Sequence, residues 1–192
     1  MLQNEWMTEA AIIHGCIEMK QTAQQHLYDK YSSKMLAVCY RYAGSRADAE
    51  DMLQEAFIRV YGQIHQYRGQ GAFEGWILRI VINTCINHLK KHKKFSTHVD
   101  VFPMADYLSK DEQVTSFIES KEIVECIRSL PVGYRTILNL FAIEGYTHKE
   151  ISGMLEIEES TSRSQYMRAR NLLEKILIKR HLIHSTQIRQ RS

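Results

Sequence analysis

Thr147-His148-Lys149-Glu150-Ile151-Ser152-Gly153-Met154-Leu155-Glu156-Ile157-Glu158-Glu159-Ser160-Thr161-Ser162-Arg163-Ser164-Gln165-Tyr166-Met167-Arg168-Ala169-Arg170 is the stretch on which the reading of this chain turns. Thr147-x-x-Glu150 has the form of a capping box, in which a threonine hydroxyl and a glutamate three residues later satisfy each other's backbone donors. It opens a short helix with Ile151 and Leu155 on its inner side. A brief turn over Glu156 to Glu158 leads into a longer helix, Glu159 to Lys179. A short helix, a tight turn and a longer helix make a helix-turn-helix, whose second helix enters the major groove of DNA. Projection of that second helix at 100° per residue puts Ser162, Tyr166, Ala169 and Leu173 on one side. Ser160, Arg163, Ser164, Met167 and Arg168 point the other way. Arginine reads guanine edges and serine holds phosphate, so this side suits a groove. The alternative is a surface helix with scattered arginines.

Upstream, Leu130-Pro131 precedes a helix over Val132 to Ile143, with Tyr134, Ile137, Leu138 and Phe141 as its packing stripe and Gly145 just past its end. Before that the charge pattern changes. Residues 1–94 hold 12 Lys/Arg against 9 Asp/Glu, residues 95–120 hold 1 against 5, and residues 121–192 hold 12 against 8. The acidic middle contains Pro103 and lacks the amphipathic periodicity on either side, which marks a linker. The expected organisation is a domain over 1–94, a linker over 95–120 and a second domain over 121–192.

Only Pro103 and Pro131 occur, both outside the strongly periodic segments, so long helices can run uninterrupted. The expected fold class is all-α: two helical domains joined by a linker, the C-terminal one with the helix-turn-helix. In the first block the periodicity predicts four helices. The first spans Met7 to Glu18, with Ala11, Ile12 and Cys16 on one face. The second spans Thr22 to Ala43, with Leu27, Tyr31, Met35, Val38 and Tyr42 as a burying stripe and Gly44 as its C-terminal cap. The third, Ala47 to Tyr61, buries Met52, Leu53, Ala56, Phe57 and Val60 and turns Asp48, Asp51, Gln54 and Glu55 outward. Acidic residues near a helix N-terminus are favoured by its dipole alone. By itself this face carries no function.

The fourth helix, Phe73 to Lys91, follows the loop Gln66-Tyr67-Arg68-Gly69-Gln70-Gly71, whose glycines permit backbone that other residues resist. Trp76, Arg79, Asn83, Asn87 and Lys90 recur on it at three and four. A core helix would place apolar residues there, whereas a nucleic-acid surface needs cations for phosphate, amides for base edges and an aromatic for stacking. Lys90-Lys91-His92-Lys93-Lys94 then suits either the helix's own dipole or a phosphate backbone. From physics alone this face is either a DNA contact or plain solvated surface.

Composition closes off other classes. At 44% hydrophobic residues, no apolar run approaches the roughly 20 needed to span a bilayer, so no membrane insertion is expected. The N-terminus, Met1-Leu2-Gln3-Asn4-Glu5-Trp6, lacks the features of a secretory signal, which predicts a cytoplasmic protein. Cys16, Cys39, Cys85 and Cys126 are widely spaced and form no Cys-x-x-Cys, which predicts four buried reduced thiols. His88 and His92 stand at helical spacing beside a lysine run that repels cations, so no metal and no cofactor is expected. With no nucleophile and base in a recognisable motif and no glycine-rich phosphate loop, no enzyme is expected.

Together these residues resemble the extracytoplasmic-function group of bacterial sigma factors, which retain only the second and fourth conserved regions of larger sigma factors. The likeness covers residues 20 to 178. Asp48-Ala49-Glu50-Asp51-Met52-Leu53-Gln54-Glu55-Ala56-Phe57 resembles the family's polymerase-binding helix. The resemblance implies that Asp48, Asp51, Gln54 and Glu55 contact core RNA polymerase. Tyr67, Arg68, Gly69, Phe73, Trp76, Arg79, Asn83, Asn87 and Lys90 match the element that reads and melts the minus-ten region of promoter DNA. Leu130-Pro131-x-x-Tyr134-Arg135, Glu144-Gly145-Tyr146-Thr147 and Arg168-Ala169-Arg170 resemble the minus-thirty-five-binding domain. There the implied contacts are Lys149, Ser160, Thr161, Arg163, Ser164, Gln165, Met167 and Arg168. The chain departs from the family where a glycine is common (Ser160), where a valine is common (Ser162), and at the usual serine cap (Glu158).

The same resemblance implies an anti-sigma factor as a further partner. A base of the non-template strand would be captured by the loop from Gln66 to Gly71, at a few kcal/mol of lost stacking. One rival class stays open, a helix-turn-helix regulator that binds DNA without touching polymerase. It predicts no role for Asp51, Gln54 and Glu55.

Overall fold

The computed structural model describes residues 8–91 and 118–180, and every regular element among them is helical. The chain falls into two compact units that divide between His88 and Leu89. Most of the expected linker, residues 95–117, lies outside the described residues, as do the lysines and histidine after Lys91 and the tail beyond Arg180.

The first unit begins with α1 (Glu9–Ile17), whose first turn is capped by the Thr8 hydroxyl accepting from the Ala11 N–H at 3.2 Å. Ile12, Gly15 and Cys16 are buried and Ala11 is exposed, so the inner face is rotated by one residue from the expected one. α2 (Gln21–Tyr42) buries the expected stripe of Leu27, Tyr31, Met35, Val38 and Tyr42, with Ala23 and Cys39 added. Gly44 is not its left-handed cap. Ala43 turns straight into extended backbone (φ −72, ψ 153), because Ser45 must be in place to cap the next helix by accepting from the Asp48 N–H at 3.0 Å.

α3 (Arg46–Gln63) and α4 (Phe73–Lys91) complete the bundle. Met52, Leu53, Ala56, Phe57 and Val60 of α3 are buried, as are Phe73, Ile77, Val81, Ile82, Cys85 and Ile86 of α4. At each of these the apolar side chain leaves water, about 1.5–3 kcal/mol for a large aliphatic or aromatic group. Cys39 and Cys85 lie with their sulfurs 3.8 Å apart in this core. The Cys39 contact and burial push the Cys85 thiol well above its ordinary pKa, so it stays protonated. All four cysteines are free and buried.

The described part of the second unit opens with α5 (Ile118–Arg128), which is not among the expected helices and whose first residues fall in the expected linker. Its Ile127, with Leu130, Leu138 and Ala169, forms a core against which Tyr134, Leu172, Leu173 and Ile176 pack. Arg135 is buried at 4% exposure, and its guanidinium donates to the Arg128 carbonyl at 2.7 Å, tying α6 (Val132–Leu138) to the open end of α5. The helix expected to run to Ile143 changes character at Asn139. Residues Asn139–Ile143 form a π-helical turn, with the Glu144 N–H donating to the Asn139 carbonyl at 2.9 Å. It ends, as expected, at Gly145, in the left-handed region at φ 79.

α7 (His148–Leu155) carries the predicted capping box. The Thr147 hydroxyl accepts from the Glu150 N–H at 3.2 Å, and the Glu150 carboxylate accepts from the Thr147 N–H at 2.8 Å. Replacing Thr147 with alanine removes one arm of the box and is expected to lower stability by about 1 kcal/mol, measured by urea titration of the full chain. The turn after α7 is made by Glu156, a non-glycine residue held left-handed at φ 58, and α8 (Glu159–Lys179) follows with the bounds read from the sequence.

Candidate functional site

Three outward surfaces hold the residues singled out above. On α3, Asp51 and Gln54 are exposed. Asp48 is half-buried in the first turn, where an acidic side chain complements the helix dipole. Glu55 is half-buried and engaged, its carboxylate 2.7 Å from the Arg59 guanidinium and 3.8 Å from Nδ1 of His88 on α4. The sequence reading passed over Ile58, which is 70% exposed. Four residues beyond Gln54 and three beyond Glu55, it falls on their face, and helical projection could have found it.

The second surface spans the loop before α4 and that helix's outer side. The loop is built by its glycines: Gly69 (φ 72) and Gly71 (φ 82) both take left-handed backbone. Tyr67 closes it, its hydroxyl donating to the Gly71 carbonyl at 2.8 Å. The Tyr67 ring lies 4.9 Å from Phe73 and 5.7 Å from Trp76 between ring centres. Phe73 and Trp76 are stacked at 5.6 Å and 12°, and Tyr31 meets Phe73 edge-on at 5.9 Å. Arg68 and Gly69 are exposed beside this cluster.

Phe73 corrects the sequence reading. At 1% exposure it is the floor of the aromatic cluster and has no surface to offer a base. Trp76, half-buried, is the ring that reaches the surface. Arg79, Asn83 and Asn87 are exposed along α4, and Lys90 is half-buried in its last turn. A stripe that could have been core is therefore surface, carried on a helix whose opposite side is the unit's core.

The third surface is the helix-turn-helix. Lys149, Ser160, Arg163, Ser164, Met167 and Arg168 are exposed, Met167 by 50%, and Thr161 is half-buried. Arg163 pairs with Glu159 one turn earlier, and the Ser164 hydroxyl donates to the Thr161 carbonyl at 3.1 Å. Gln165 is the second correction. It is 5% exposed on the buried side with Ser162 and Ala169, where it cannot reach DNA.

Behind this surface α7 and α8 meet through polar and aromatic groups. Nδ1 of His148 and Oγ of Ser162 share a hydrogen bond of 2.9 Å. The imidazole stacks on Phe141 at 4.2 Å and 12°, with Tyr166 4.5 Å from Phe141 and 5.9 Å from His148. Burial, then the Arg163 cation, holds the His148 pKa below its ordinary value, so the ring is neutral at pH 7. Among the described residues no group of three or more His, Cys, Asp or Glu side chains could hold a metal ion, and no helix is long and apolar enough to cross a membrane.

The sequence matches two protein-family descriptions, Sigma-70 region 2 over residues 27–95 and Sigma-70, region 4 over residues 120–173. The RNA polymerase sigma-H factor of Pseudomonas aeruginosa is 30% identical over 176 residues, covering 84% of this chain and 91% of that protein. The ECF RNA polymerase sigma-E factor of Escherichia coli K12 is 29% identical over 182 residues, covering 89% and 95%. Among solved structures, the sigma factor RpoE in complex with the anti-sigma factor NepR from Bartonella quintana aligns with a TM-score of 0.49 at 18% identity, covering 80% of this chain and 95% of that one. With both regions present in order and a relative at this identity over nearly its whole length, the chain belongs to the extracytoplasmic-function group of the sigma-70 family, subunits that bind core RNA polymerase and direct promoter-specific initiation.

Proposed function

We propose that this sigma factor docks on core polymerase through the α3 face of Asp48, Asp51, Gln54, Glu55 and Ile58, and reads its promoter through two surfaces, one in each unit. The minus-ten element is read by Arg68, Gly69, Trp76, Arg79, Asn83, Asn87 and Lys90, with Tyr67 and Phe73 as the support beneath. The minus-thirty-five element is read by Lys149, Ser160, Thr161, Arg163, Ser164, Met167 and Arg168.

The observation that carries the reading is the α4 stripe. A merely solvated helix has no reason to mount two exposed amides and an exposed cation in one row with a half-buried aromatic ring beside a glycine-shaped loop. The amides suit base edges, the cations phosphate, and the Trp76 ring a base lifted from the stack. Two modest readers on one molecule gain by effective concentration, so neither needs high affinity alone. The domain roles follow: residues 1–94 as region 2 and 121–192 as region 4, joined by the 95–120 linker, whose last three residues begin α5. The protein acts in the cytoplasm without catalysis of its own, and an anti-sigma factor is its regulatory partner.

The test is run-off transcription with purified core polymerase on a genomic promoter library. Discrete start points that depend on the protein are expected. A chain that binds DNA but yields no defined start with core polymerase overturns the reading in favour of the regulator that works without polymerase.

A further inference from the structure

The two helices of the helix-turn-helix could be held together by apolar contact alone, yet Ser162 is fully buried where they meet. A buried hydroxyl is costly unless it is hydrogen-bonded, so its partner is constrained in direction as well as distance. That partner is His148, the first residue of α7, 2.9 Å away. The imidazole is itself fixed on its face by Phe141, which the π-helical turn carries, and at its edge by Tyr166 of α8. Three consecutive elements therefore converge on one ring.

We propose that His148 is a positioning residue for upstream promoter recognition: through Ser162 it sets the rotation of α8 about its own axis and so the direction in which Ser160, Arg163 and Ser164 enter the groove. Each residue of a helix is turned about 100° from the last, so an anchor at position 162 dictates where 163 and 164 point. Apolar packing tolerates small rotations, whereas a hydrogen bond weakens steeply as its angle degrades. Arg163, adjacent to the anchor, must meet a base edge in a planar two-point geometry that small rotations spoil. The inference rests on α8 being the upstream reader.

The test uses holoenzyme assembled from the full chain and core polymerase, and a pool of promoter duplexes randomised over the upstream element. His148→Phe keeps a ring on Phe141 and removes the hydrogen bond, while Ser162→Ala removes only the hydroxyl. Each single variant is expected to lose roughly fivefold to tenfold in preference for the selected sequence over a scrambled one, the worth of one hydrogen bond. Binding to scrambled DNA should stay unchanged, because it is set by phosphate contacts. The double variant should lose no more than the worse single, since the two residues act as one unit.

Unchanged preference in Ser162→Ala, additive losses in the double variant, or a parallel fall in scrambled binding would each overturn the clasp. Preference is compared at a temperature where thermal melts show all variants folded, so lost stability cannot imitate the result. A wild type that selects no upstream sequence would sink the proposed function itself, and the clasp with it.

Discussion

Phe73→Ala is expected to destabilise the first unit by about 3–5 kcal/mol, the range for deleting a fully buried aromatic ring. Phe73 is 1% exposed and touches three other rings, Tyr31, Tyr67 and Trp76, so its removal leaves a cavity that rigid neighbours cannot close. A domain has only some 5–15 kcal/mol of stability in all, so this single change takes a large part of it. Urea titration of the full chain, followed by tryptophan fluorescence, measures the loss. Phe73→Leu, which keeps most of the volume, should cost less than about 1.5 kcal/mol. The leucine variant then separates packing from function, because it leaves the unit folded but takes the stacked support from under Trp76. Promoter melting by its holoenzyme, followed by the reactivity of unpaired thymines, should slow while core binding is unchanged. A loss below about 1 kcal/mol in Phe73→Ala would mean that the ring is not the floor of the cluster.

How much of this architecture the sequence discloses depends on whether local or distant forces decide each element. The bounds of α4 are as read because Phe73, Ile77, Val81, Cys85 and Leu89 recur over many turns, whereas α8 buries Ser162 and Gln165 near its start and is read from the turn that precedes it. The capping box of α7 is legible because both partners lie within four residues. α5 escaped because its first turn lies in the acidic stretch that the charge pattern marks as a linker, although Cys126 and Ile127 further along it are buried. Gly44 looks like a cap, but the demand of Ser45 to start α3 overrides it. The π-helical turn at Asn139 has no composition signal, and the contacts of its Phe141 with His148 of α7 and Tyr166 of α8 are ones that no local pattern records.

The same division holds at the candidate site. The exposed row on α4 was legible as a row but not as exposed, because a polar stripe can face a partner helix or water. Resemblance alone places Gln165 among the DNA contacts, although projection puts it only about 60° from Ser162, inside the buried arc. Resemblance likewise groups Phe73 with its neighbours, and no local pattern records the Tyr31 ring on α2 that helps to bury it. The His148–Ser162 contact spans a turn made by a left-handed Glu156, so it follows from the turn's geometry and not from spacing.

Asp51→Lys combined with Gln54→Ala is expected to leave the fold intact and to weaken association with core polymerase about 100-fold or more, the effect of losing contacts at the centre of an interface. Both side chains are exposed on α3, and surface changes of this kind shift stability by only about 0.5 kcal/mol. Glu55 is a poorer probe, because its bond to Arg59 and its proximity to His88 would mix stability with binding. Ile58→Ala is the better companion. An isoleucine 70% exposed contributes little to the core, so a loss of polymerase affinity in that variant with an unchanged urea midpoint marks it as an apolar anchor between two polar contacts. Titration of labelled protein with core polymerase measures both. Reversal of the Asp51 charge should also slow the encounter and change its salt dependence, whereas Ile58→Ala should act on dissociation alone. Wild-type affinity in the double variant, with start points preserved, would move the polymerase contact off α3 and return that acidic turn to its simplest role, the complement of its own helix dipole.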